Sequence, residues 1–165
     1  MIELYYLNVT IHILAALLWI GGMFFLAAVG APVLRTVQPP TLRVELFRLL
    51  GARFRRVGWI AITILLITGV LNLYFLGILR DGLLIDPAFW ASRFGQTLAW
   101  KLTAVAAMLI VSGLHDFVFG PRSAALEPGS PESVAARRRA VVLARLNAAL
   151  GVIVVIVAVR LARGG

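Results

Sequence analysis

The chain has 165 residues, 61% of them hydrophobic, and a mean hydropathy of +0.97, far outside the range of soluble domains. Cysteine is absent, which excludes disulfides, iron–sulfur clusters and thiolate metal sites. The net charge of +9 is concentrated in two connections between apolar runs, so it speaks for membrane topology and attraction to anionic lipid, with no nucleic-acid partner.

Runs with little or no charge extend from Leu4 to Leu34, Val57 to Leu79, Phe94 to Leu114 and Ala140 to Val159. Each has the roughly 20 residues that cross a bilayer core. Backbone amides in hydrocarbon must bond within their own segment, and no run shows the alternation of a barrel strand. The predicted fold is an all-α integral membrane four-helix bundle, one transmembrane domain over residues 1–165, with helices over 4–34, 57–79, 94–120 and 138–162.

The first run, "IHILAALLWIGGMFF" at its centre, is preceded by Glu3 and no basic residue and is too long for a signal-peptide core, so it reads as a retained helix. Pro39 and Pro40 then separate it from "TLRVELFRLLGARFRRV", where Leu42, Leu46, Leu49, Leu50, Phe54 and Val57 recur at helical spacing among arginines. That pattern predicts a short interfacial amphipathic helix over 41–56, before helix two. Residues 82–96, "GLLIDPAFWASRFGQ", hold Phe89, Trp90 and Phe94 as an interfacial aromatic belt and a candidate lid. Residues 123–135, "SAALEPGSPESVA", read as a linker without chemistry.

Arg35, Arg43, Arg48, Arg53, Arg55 and Arg56 lie between helices one and two, and Arg122, Arg137, Arg138 and Arg139 between helices three and four. The remaining connection has only Arg80 and Arg93, with Asp81 and Asp86. By the positive-inside bias both basic connections are cytoplasmic, which places both termini on the outer side of a bacterial inner membrane.

An ionisable residue inside a spanning helix is costly and marks a functional site by default. This chain has four: His12, Lys101, His115 and Arg145. Asn8, His12, Trp19 and Met23 repeat at spacings that put them on one helical face, as do Lys101, Met108, Ser112 and His115. Small residues beside both stripes allow close approach of another helix or a flat ligand. At a rise of about 1.5 Å per residue, His12, Asn72, Trp100 and Lys101 fall in the outer half, and Met23, His115, Arg145 and Asn147 in the inner half. The two histidines are then roughly 10 Å or more apart along the membrane normal, too far to share one ion between straight helices.

Neutral imidazole is a common metal and haem ligand, a desolvated lysine can act as a sixth ligand or proton carrier, and arginine or asparagine can hold a porphyrin carboxylate. The candidate cofactor-binding residues are therefore His12, Trp19, Asn72, Lys101, His115, Arg145 and Asn147, and the candidate metal donors His12, Met23, Lys101, Met108 and His115. Each has a structural alternative: an imidazole bonded to a neighbouring helix, a lysine snorkelling to the surface, an arginine anchoring a helix end, methionines as packing.

The segments "HILAALLWIGGMFF", "FRRVGWIAITILLITGVLN", "WKLTAVAAMLIVSGLHDFVFGPR" and "RLNAALGVIVVIVAVR" together resemble the copper resistance D (CopD) family over nearly the whole chain. More distantly they are similar to the haem-binding bacterial protoporphyrinogen oxidase family HemJ, whose characteristic residues would correspond to His12 and Trp19, Lys101 and His115, and Arg145 and Asn147. The residues and the resemblances together leave three readings. The first is a haem b membrane protein with a redox role, carrying electrons or acting as an oxidoreductase on a porphyrin- or quinone-like substrate, with a membrane redox partner. The second is copper transport or homeostasis, with His12, Met23, Met108 and His115 as stepping points. The third is a cofactor-free accessory subunit of a membrane complex or homo-oligomer, its polar groups acting as interhelical glue.

Overall fold

The computed structural model describes residues 1–120 and 130–165, except for the side chain of Arg137. Four helices are long and apolar enough to span a membrane: α1 (Ile2–Arg35), α2 (Pro40–Phe75), α4 (Arg93–Phe119) and α5 (Pro131–Ala162). A short α3 (Pro87–Ala91) precedes α4. Only 11% to 22% of the most apolar stretch of each long helix is covered by the rest of the protein. Such a surface would be a liability in water and is what a hydrocarbon solvent requires. The chain is an integral membrane protein, all-helical among the described residues.

Contacts divide the chain into two compact units, Met1–Leu83 and Leu84–Gly165. In the first, α1 and α2 pack as an antiparallel hairpin. His12 meets Thr68, Trp19 lies against Gly58, the Phe54 ring covers Gly22, and Leu50 reaches Gly30, so residue numbers fall on α2 as they rise on α1. Glycines set this approach. A Cβ at Gly22 would come within 2.5 Å of the Phe54 ring.

The same contacts explain why the amphipathic segment 41–56 is not a separate interfacial helix. Leu50 and Phe54 find seats on α1, and α2 runs unbroken from Pro40 to Phe75. Arg48, Arg53, Arg55 and Arg56 are left exposed; Arg48 pairs with Glu45 at 2.6 Å, a surface pair that contributes little. At the other end α2 stops at Phe75 rather than Leu79. Gly77 takes a left-handed φ of 81°, and the Leu79 amide bonds back to the Leu73 carbonyl, a glycine-terminated helix end. Arg80 and Asp81 follow, paired at 2.9 Å; the guanidinium holds the Asp81 carboxyl below the usual carboxylate range.

α1 and α4 both contain wide π turns, Leu17–Gly21, Leu26–Gly30 and Leu114–Phe119. Each inserts extra backbone into the helix and re-aims the side chains that follow it. Trp19 sits in the first, and His115 with Asp116 in the last.

In the second unit Asp86 caps α3 through the Ala88 amide, and Ser92 caps α4 through the Gly95 amide. Phe89 stacks edge-on against Trp90 at 5.2 Å between ring centroids and contacts Phe94 at 6.2 Å, while the Trp90 indole donates to the Leu84 carbonyl. Gly95 is pressed against the Phe89 carbonyl, leaving no room there for a side chain.

α4 and α5 then form the second hairpin, with Leu98, Ala104, Met108 and Val111 buried on α4 and Asn147 and Gly151 on α5. α5 begins at Pro131, earlier than the expected 138: Ser130 accepts the Ser133 amide and Pro131 takes the first helical position. The rest of the expected linker, 123–129, lies outside the described residues.

Candidate functional site

The polar groups of the first hairpin converge on one stretch of the α1–α2 seam. Asn8, 6% exposed, donates from its amide nitrogen to the Thr68 carbonyl at 3.0 Å and to Asn72 Oδ1 at 2.8 Å. One turn further along α1, His12 Nδ1 lies 2.7 Å from Thr68 Oγ1. Thr68 Oγ1 is also 2.7 Å from the Ile64 carbonyl oxygen.

These two short contacts point to one histidine tautomer. A hydroxyl has one proton. The Ile64 oxygen can only accept, so the 2.7 Å contact to it needs the Thr68 proton. Thr68 Oγ1 then accepts from His12, whose proton is on Nδ1 and whose ring lone pair is on Nε2. This is the arrangement found where a neighbouring acceptor orients an imidazole for a metal. Gly69 lies beside the ring: a Cβ at that position would fall 3.7 Å from His12 Cε1, an ordinary contact distance.

His12 and Asn72 are thus linked through Asn8, which spacing places on the same stripe as His12, and Thr68, which spacing does not single out. Trp19 lies further along the same face, 8% exposed, its indole seated on Gly58. It is part of the hairpin's packing. Met23 is half-buried on the same helix, eleven residues or roughly 16 Å from His12.

In the second hairpin, Asn147 donates to Ser112 Oγ at 2.9 Å across the α4–α5 seam. Met108, one turn before Ser112, is 1% exposed and is closed inside the packing. His115 Nδ1 faces Asp116 Oδ1 at 2.9 Å, and Lys101 is half-buried on α4. Arg145 is exposed while Asn147 is buried. Two residues apart on a helix point to opposite sides, so these two do not share a face. Among the described residues no group of three or more histidine, aspartate or glutamate side chains is placed to hold a metal ion.

Comparison with known proteins adds the decisive observation: residues 48–161 match the family described as Copper resistance protein D. The chain belongs to the CopD family. A protein of Aquifex aeolicus (strain VF5), described as uncharacterized, is 30% identical over 114 residues, 68% of each chain. No solved structure matches. The CopD match covers Thr68, Asn72, Lys101, Met108, His115 and Asn147, while His12 and the rest of α1 precede it. It backs the copper alternative of the sequence reading and gives no support to haem b.

Proposed function

We propose that this CopD-family protein handles copper as cargo at the inner membrane of a bacterium, with both termini on the outer side, and that His12 is the ligand of the first hairpin. The observation that carries the reading is the Thr68 hydrogen bond at Nδ1, which directs the imidazole lone pair to Nε2. The donor set suits passage better than storage. Each hairpin offers one imidazole, His12 or His115, and no cysteine or methionine cluster that would trap a soft ion. The arginine-rich connections support the orientation.

The test is copper accumulation in cells expressing the chain, compared with His12→Ala and His115→Ala at equal membrane abundance. A copper phenotype lost in His12→Ala supports the proposal; wild-type behaviour in both variants refutes it. The absorption spectrum of the same purified protein separates copper from haem. A Soret band that disappears in His12→Ala would replace copper by haem b at this residue.

A further inference from the structure

Beside the α4–α5 seam runs a groove of about 430 Å³, walled by Trp100, Ala104, Ala107, Leu150 and Ile153 and closed at one end by Arg160. A second groove of about 390 Å³, reaching to Trp90 and Gln96, shares Trp100 and Thr103 with it. Trp100 lines both of these open grooves, and it is 70% exposed. Both volumes fall within the roughly 300–1,000 Å³ of ligand sites.

We propose that the two grooves hold one anionic phospholipid, its phosphate on Arg160 and its chains on either side of Trp100. Charge argues for the head group. Among the described residues no Asp or Glu lines either groove, and the ion pairs involve Arg48, Arg80 and His115, not Arg160. The Thr97 hydroxyl donates to the Arg93 carbonyl, which leaves the Arg160 guanidinium as the charged donor among the residues lining the groove. Among the described residues no acidic side chain lines either groove to receive the ammonium group of a zwitterionic lipid.

Length argues for the chains. From Thr97 to Ala107 the groove follows α4 for ten residues, about 15 Å, half of the roughly 30 Å hydrocarbon core. Arg160 lies in the last turn of α5 and Trp100 in the second turn of α4, where an interfacial cation and indole meet head groups. The site is independent of copper.

Native mass spectrometry of the purified full chain, given equimolar phosphatidylglycerol and phosphatidylcholine, tests this. The wild type should retain one phosphatidylglycerol. Arg160→Gln should lower that retention about tenfold, the loss of one charge-assisted contact. Ala107→Leu, which fills the groove at unchanged charge, should lower it as well. Arg163→Gln removes an equal charge at the same helix end without lining either groove, and should retain the lipid. Equal loss in Arg163→Gln, equal retention of phosphatidylcholine, or wild-type retention in Ala107→Leu overturns the proposal.

Discussion

Replacing Thr68 by valine keeps the branched shape and removes the hydroxyl that receives the His12 proton. The hydrogen bond from His12 Nδ1 disappears, and so does the one to the Ile64 carbonyl with its longer branch to the Leu65 carbonyl. The second matters little, because that carbonyl also belongs to the backbone ladder of α2. The first leaves an N–H facing a methyl group. Interhelical hydrogen bonds in membranes average about 0.6 kcal/mol and reach about 1.7, so the hairpin should lose roughly 1 kcal/mol. The effect on a bound ion should be larger, because the Thr68 acceptor then no longer orients the ring or holds its proton on Nδ1. Loss of the partner that orients a ligating imidazole typically costs roughly 10–100-fold in metal affinity. Copper binding by isothermal titration, with thermal unfolding in the same detergent, separates the two effects. Thr68→Ser should restore both. In a His12→Ala background Thr68→Val should add little to the binding defect, since the interaction it removes is already gone. A Thr68→Val protein with wild-type copper affinity, or a full Thr68→Val binding penalty without His12, would refute the orienting role.

Two glycines on spanning helices should respond in opposite senses to alanine. Gly95→Ala drives a methyl into the Phe89 carbonyl and should destabilise by about 1–3 kcal/mol, whereas Gly21→Ala meets nothing within 4 Å and should be neutral or stabilising by about 0.5–1 kcal/mol, both read as shifts in thermal unfolding. The Arg80–Asp81 pair predicts a pH effect. Asp81 titrates lower when folded, so its contribution is present above its unfolded value near 3.8 and is lost as pH falls through the folded value. The small stability difference between wild type and Asp81→Asn should accordingly vanish on acidification below that window, and a difference that grows instead would contradict the sign. For topology, the chain has no native cysteine, so Ile85→Cys and Val134→Cys can be probed singly with a membrane-impermeant maleimide. Both positions are exposed; the first should label in intact cells and the second only after permeabilisation.

The four spanning segments are legible in the sequence because hydrocarbon leaves so few options: long apolar runs without charge have to become helices. Their ends are less legible, for reasons that differ. "SPES" at 130–133 has the composition of a linker, although serine before proline and glutamate is also a helix N-cap signal, which is how it folds. The amphipathic run 41–56 has the pattern of an interfacial helix, and nothing within it reveals that Leu50 and Phe54 have glycine seats on α1. That is tertiary information. Likewise the stripe holding His12 is visible by spacing, but Thr68 is not, since a lone threonine in an apolar helix is ordinary until its partner is known. Depth alone groups Arg145 with Asn147, and helical phase separates them.

Both hairpins carry a buried amide in their seam, and the contrast between them shows which polar residues need a functional explanation. Asn147 to Ser112, and Asn8 to Thr68 and Asn72, join two helices through groups whose hydrogen bonds are directed at each other. Such pairs fix register. His12 differs. Asn8 already bonds both the Thr68 carbonyl and Asn72, so register is specified without an imidazole. Histidine also brings a second nitrogen whose lone pair the Thr68 bond does not use, and whose position that bond determines. A seam needing only one more donor at this turn could be served by asparagine, which sets a discriminating substitution. If His12→Asn preserves thermal stability and loses the copper phenotype, the ring is there for its Nε2; if it preserves both, His12 is interhelical glue like its neighbours.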